Sequence, residues 1–415
     1  MNTWINKTSF LSKAGLRTLI TCTLIATSSQ SYAWFWEKPK DIGGSNKLID
    51  VMIVGNAVDG TVNFVDTETH MVIGTVDVAK DQWWRMLTDP INTFLLGFNV
   101  LREGSQRILD DSVVTLDGTT LIASRGWMGD VVAFDLTKTN TPMIWRYEMD
   151  GPRSDHMDIS LDGSEISVSD TLKDKVVVLN SFTGKKISSF PTGAYAHGND
   201  YSHSGKYIYN GSIGSILHPY SMNDAKGDKL LTIADAETHK VIKTYQFEWG
   251  LRPSVYTPDD KTMYAQFSYH RGFSTIDLET GEITATYDLP ASDHGLENFS
   301  QYKDYPNNSA HHGMALSQDG KKLCLAGTID NYIAVVDLES ATTDNIIYGP
   351  ETPYWASTGP NGNYCYVSNS YGDSLSVIDF ATATEVARIN VGSFPQRSRA
   401  VKVGKATILF YSLII

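Results

Sequence analysis

The sequence predicts an all-β fold, a seven-bladed β-propeller closed by its C-terminal strand. Three observations carry the prediction: one strand-turn-strand pattern recurs along most of the 415 residues, a fixed turn motif punctuates it, and the first copy lacks a strand that the end of the chain can supply. The clearest copy is residues 364–392, YCYVSNSYGDSLSVIDFATATEVARINVG. It reads as a short apolar strand, a polar turn, a second strand ending in Val-Ile-Asp, a Thr-rich turn and a third strand ending in Val-Gly. A chain built this way is an array before any single residue is interpreted.

The turn motif is a Ser or Thr followed by Asp, Asn and Gly. It stands at Thr115, Ser160, Ser202, Thr257 and Ser317, with Gly359 in the first place of a sixth copy. Such clusters are hairpin signals. The intervals of 45, 42, 55, 60 and 42 residues give a period of roughly 40 to 45, the size of a four-stranded blade, with two insertions. Each motif leads into an alternating strand and then a strand of the Val-Ile-Asp kind: VVAFD at 131, VVVLN at 176, LTIAD at 231, FSTID at 273, IAVVD at 333 and LSVID at 375. An earlier copy, VNFVD at 62, makes seven. That first copy has no strand and turn before it, and residues 394–403 have the missing strand's character. The C-terminus is therefore expected to zip onto the first blade, removing both sheet edges.

These repeats resemble the YVTN family of bacterial β-propellers, including its YncE-like and quinoprotein amine dehydrogenase β-chain-like members, over about residues 48–400, most specifically in the last repeat. The resemblance implies a propeller and export. It implies no single chemistry, because propellers host many.

Residues 1–33 carry Lys7, Lys13 and Arg17 ahead of an apolar run at 19–26, then Ser31-Tyr-Ala33. This is the layout of a secretory leader, and the apolar run is too short to span a bilayer. Thr21 before Cys22 makes a poor lipobox and argues against a lipid anchor. A periplasmic or secreted protein is expected: an N-terminal extension at 34–47, one propeller over 48–403 and an apolar tail at 404–415. Removing the leader's three basic and no acidic residues takes the formal net charge from −13 to −16. That disfavours nucleic acid as a partner and leaves a small molecule or an envelope protein. Cys324 and Cys365 sit at matching places of adjacent repeats and are expected as buried thiols rather than a disulfide.

The innermost strand of a blade starts on the face that carries the loop between the second and third strands. The three long insertions, residues 80–109, 213–228 and 292–309, all fall in connections of that face, where function gathers. The first is the most apolar; Pro90 predicts a helix there, and a cap over the channel is its expected role. Inner-strand starts bring Asp110, Asp111, Asp155, His156, His197, Arg252, His311, His312, Tyr354, Trp355, Arg397 and Arg399 to the channel mouth, and neighbouring loops add Arg125, Trp127, His218, Tyr220, Tyr269, His270 and His294.

Three chemistries fit this cluster. Polar residues at a mouth can simply bond to the next blade or to water. His156, His197, His311 and His312 can hold a divalent metal such as Zn, Cu, Mn or Ca, although no local HxxxH or CxxC spacing marks one. Alternatively Arg252 and Arg397 can grip an anion while His197 or His312 serves as base and Tyr220, Tyr269 or Tyr354 as acid, with Asp110, Asp111, Asp155, Arg125, Trp127, His218, His270 and Trp355 shaping the pocket. On the last two readings the protein either binds a small ligand, metal or partner without turnover, or is a lyase, hydrolase or metal-dependent oxidoreductase. The missing CxxCH motif excludes a covalent c-type haem within the chain.

Overall fold

A computed structural model describes residues 47–404. Its 28 strands, numbered in chain order, form seven four-stranded antiparallel sheets. The first sheet has the order β28-β1-β2-β3, where β1 is Leu48–Asn56, β2 Thr61–Asp66, β3 Met71–Asp77 and β28 Pro395–Gly404. Closure by the last strand is therefore observed: β28 runs antiparallel to β1 from Leu48 opposite Gly404 to Asn56 opposite Pro395. The other six blades are built from consecutive strands, and their inner strands are β4 (Asp111–Val114), β8 (Ser154–Ile159), β12 (Ala196–Tyr201), β16 (Leu251–Tyr256), β20 (Met314–Leu316) and β24 (Pro353–Thr358).

The repeating residues have repeating jobs. In the turn motif the Thr115 hydroxyl donates to Asp117 at 2.6 Å and accepts from the Thr120 N–H at 3.1 Å. Ser160, Thr257 and Ser317 do the same with Asp162, Asp259 and Asp319 at 2.7, 2.6 and 2.7 Å. Gly118, Gly163, Gly205, Gly320 and Gly362 close these turns at φ between 70° and 73°, a region glycine enters without steric cost. The Asp or Asn ending each third strand accepts N–H bonds of 2.7–3.2 Å from residues two or three further on, an Asx turn that reverses the chain into the outer strand. Apolar faces of neighbouring blades interlock, as where Val51, Ile53 and Val403 of the first blade meet Val114, Leu121 and Val132 of the second.

Cys324 on β21 (Lys322–Gly327) and Cys365 on β25 (Tyr364–Asn369) form a disulfide. This corrects the expectation of free thiols. Equivalent positions of adjacent blades face each other across one interface, with Cα atoms 6.5 Å apart, within bonding range.

The first insertion folds into a helical hairpin, α1 (Gln82–Thr88) and α2 (Pro90–Glu103). Pro90 occupies the first turn of α2, Asp89 caps it by accepting from Asn92 N–H at 3.0 Å, and Gly104 ends it in the left-handed conformation. Leu96 and Asn99 are buried, whereas Trp83, Trp84, Leu87, Ile91, Phe94, Phe98 and Leu101 form an exposed apolar stripe. The third insertion holds a shorter helix, α3 (Asp293–Asn298).

Val403→Asp is expected to lower unfolding free energy by about 3 kcal/mol or more, since it buries a charge in the closing seam. Deleting residues 395–415 is expected to abolish cooperative thermal unfolding followed by circular dichroism. Replacing Cys324 and Cys365 together with Ala removes a link between positions 41 residues apart, and the denaturant midpoint should report a loss of about 2–4 kcal/mol.

Candidate functional site

The functional side chains reach the channel because the inner strands are irregular where they begin. Pairing with the second strand slips between Ser154 and Met157, Ala196 and Gly198, Leu251 and Ser254, and Pro353 and Trp355. The skipped residues are Asp155 with His156, His197, Arg252 with Pro253, and Tyr354; β28 slips likewise around Gln396 and Arg397. Bulges re-aim side chains and are common beside functional sites. Repeated around a ring, they gather residues from different blades at one end of the axis.

His156, His197 and His312 meet there. One ring nitrogen from each lies within 4.8 Å of the others, and all three rings are buried. The His156 and His197 ring centroids are 4.5 Å apart, and those of His197 and His312 are 5.7 Å apart, with near-perpendicular planes. His312 stacks on Tyr354 at 4.1 Å and bonds through Nδ1 to the Tyr354 carbonyl oxygen at 3.1 Å. A carbonyl only accepts, so Nδ1 carries the proton and Nε2 presents a lone pair. That Nε2, and Nδ1 of His156 and of His197, are buried without a hydrogen-bond partner.

Burial, followed by the charges of neighbouring His and Arg, holds His156 and His197 well below the ordinary imidazole range. Burial and then Arg252 push His312 down to about 3. The three rings are therefore neutral at pH 7, the state in which imidazole ligates a metal. Asp155 is pushed up to about 7 by burial against the pull of Arg153.

His156 and His197 line a chamber of about 40 Å³ together with Asp110, Trp127, Arg153, Asp155, Tyr195, Arg252 and Tyr354, on whose ring His312 stacks. Above it opens a vestibule of about 510 Å³ walled by all three insertions, and the two spaces share Arg107, Ile216 and Asn307. The helical hairpin reaches across the mouth, because Arg102 donates to Asn307 of the third insertion at 2.6 Å. Tyr220 of the second insertion stacks on Trp249 and on Tyr302 of the third at 5.2 and 4.3 Å, tying that side of the wall together. Below the chamber Trp355 lies against His156 and His312, and Arg397 sits over its ring at 4.4 Å. Beneath this stack the channel widens to about 630 Å³ towards the opposite face.

Not every expected residue converges. His311 turns away from the chamber and pairs through Nε2 with buried Asp330 at 3.1 Å, so its neighbour His312 alone joins the triad. Arg397 is engaged by Asp111 and Asp200 at 3.0 and 3.2 Å, and Arg399 by Asp111 and Asp158 at 3.1 and 2.9 Å. Both therefore brace the channel below the chamber, and Asp111 belongs with them. Arg125 is buried between Asp130 and Asp81 and bonds the Val78 carbonyl, anchoring the start of α1. His270 sits at the rim with Asp288 at 2.9 Å, and His218 lines the vestibule.

Three further contributors belong to no sequence motif. Arg153 bridges Asp110 and Asp155 at 3.2 Å each, while Tyr195 and Gln396 complete the chamber wall. Arg153 and Tyr195 each lie just upstream of an inner-strand histidine, which is the one clue their positions offered.

No protein-family model matches the chain, and no curated protein matches it. Among solved structures the chain is similar to hydrazine synthase of Kuenenia stuttgartiensis, with a TM-score of 0.57 and 18% identity, covering 79% of this chain and 95% of that one. At that identity the likeness shows the propeller fold alone.

Because the His312 value in the folded protein lies below its ordinary 6.5, its neutral burial stabilises the fold fully above pH 6.5. That stability is lost as pH falls towards 3, by about 1.4 kcal/mol per pH unit for one such group. Denaturant unfolding of chelator-treated protein between pH 6.5 and 4 should show a slope steeper than this, because His156 and His197 add to it, and His312→Gln should flatten it by about 1.4 kcal/mol per pH unit.

Proposed function

We propose that the protein is an exported propeller, akin to the YVTN group, that binds one transition-metal ion on His156, His197 and His312 at the floor of its top-face vestibule. The observation that carries this reading is the convergence of three buried, neutral imidazoles from three blades, with ring nitrogens within 4.8 Å of one another and one nitrogen of each ring lacking a hydrogen-bond partner. Metal–nitrogen bonds of about 2.0–2.1 Å put coordinating nitrogens about 3.3–3.6 Å apart, so each ring needs to shift by less than about 1 Å. Unpartnered buried nitrogens cost stability, and a metal uses all three lone pairs at once. An all-imidazole set suits Zn or Cu and not the oxygen-seeking Mn or Ca. Three protein ligands leave a coordination position open towards the vestibule, as at metal sites that bind a further ligand. Export is supported by the leader-like residues 1–33, which lie outside the described residues, and by the Cys324–Cys365 bond, since disulfides persist in oxidising compartments.

Protein purified from residue 34 onwards, incubated with Zn or Cu and desalted, should carry one metal per chain by elemental analysis. His197→Ala and His312→Ala should each reduce occupancy at least tenfold, whereas His311→Gln should leave it unchanged. Metal-free protein after incubation, or equal uptake by His197→Ala, would overturn the proposal.

A further inference from the structure

We infer that the chamber takes a small anion, a carboxylate or oxoanion of a few heavy atoms, with one oxygen on the metal held by the three histidines and another on the Arg252 guanidinium. The metal half of this inference rests on the reading above, while the anion half stands on two further observations.

The first is Arg252 itself. It is 2% exposed, lines the chamber, and makes two hydrogen bonds: Nε to Ser268 Oγ at 3.1 Å and Nη2 to the Asn307 carbonyl oxygen. No carboxylate pairs with it among the described residues. Four other buried or half-buried arginines around the channel differ: Arg125 has Asp130 and Asp81, Arg153 has Asp110 and Asp155, Arg397 has Asp111 and Asp200, and Arg399 has Asp111 and Asp158. A buried charge without a countercharge is costly and persists where a ligand supplies the missing partner. Placing a divalent ion on three neutral imidazoles beside this guanidinium adds to the positive charge of the chamber, and an anion bound to both relieves it. Guanidinium geometry matches carboxylates and oxoanions.

The second observation is the approach. The described residues that line the vestibule include Arg102, Arg107 and Lys303 and not one Asp or Glu, in a chain whose formal net charge is −13. A cationic cleft on an acidic protein concentrates anions at its mouth. The chamber's volume of about 40 Å³ sets the size limit: it accommodates two or three water-sized groups at roughly 10–15 Å³ each and excludes an aromatic ring or a sugar.

The test uses the full mature chain loaded with Co(II), whose visible absorption reports its ligands, and titrates it with formate, with benzoate as the oversized control. Formate should change the Co(II) bands saturably and benzoate should not. Arg252→Gln should take up the same amount of Co(II) but bind formate at least tenfold more weakly, with Arg252→Lys in between. Lys303→Glu, on an exposed part of the vestibule wall, should slow formate association severalfold at low salt and little at high salt, and it keeps the test open if Arg252→Gln does not fold. Bands that formate leaves unchanged, or an Arg252→Gln protein that titrates like the parent, would overturn the anion site. Failure to bind Co(II) would overturn the metal reading instead; calorimetric formate binding to the metal-free protein, lost in Arg252→Gln, would then keep the anion site, and its absence would remove both.

Discussion

Pairing of β28 with β1 is the constraint from which the rest of the structure follows. Until residues 395–404 lie against residues 48–56, the seven sheets are an open arc with two exposed edges, and the inner strands share no axis. Once the pair forms, each inner strand starts at the same end of the ring. Residues 156, 197 and 312 then become neighbours although as many as 156 positions separate them in sequence. The contact energy of the seam comes from apolar residues such as Val403 among Val51, Ile53 and Leu109. The geometry of the site therefore depends on packing some distance from it.

The interior of the ring divides its charges unevenly. Lower in the channel Arg397 and Arg399 are matched by Asp111, Asp158 and Asp200, a network in which each buried cation has at least two acids. In the chamber Arg153 is matched in the same way, but Arg252 is not, and the three imidazoles are kept neutral by burial among cations. Fully matched charges hold strands in register. The unmatched guanidinium and the idle ring nitrogens lie together, at the one level of the axis where strand pairing is interrupted.

Much of the fold was legible because its local signals have local causes. The Ser/Thr-x-Asp-Gly motif recurs because hydroxyl, carboxylate and glycine each satisfy one demand of the same turn, and the Asp that ends each third strand recurs because its carboxylate caps the next reversal. The missing first strand and the helix start at Pro90 are legible for comparable reasons. The site was legible only as a collection of residues at strand starts. Nothing in the pair His311-His312 says which ring faces the axis, because that is decided by the backbone at Gly313, whose φ of 97° breaks the alternation a strand would impose. Arg125 and Arg397 looked available in sequence, but their acidic partners lie on other segments. The cysteine pair is hidden for a related reason: equivalent positions in adjacent repeats suggest equivalent buried environments, whereas in the ring they face each other.

The stack of Trp355 and Arg397 under the histidines gives the molecule a directionality that a symmetric wheel would lack. With the axis stoppered at mid-height, the upper hollow is a cup and not a tube. Whatever enters it leaves by the same doorway, past residues of all three insertions, so the time an occupant spends inside is governed by that rim, while the wide hollow on the far side remains a separate compartment with its own access to solvent.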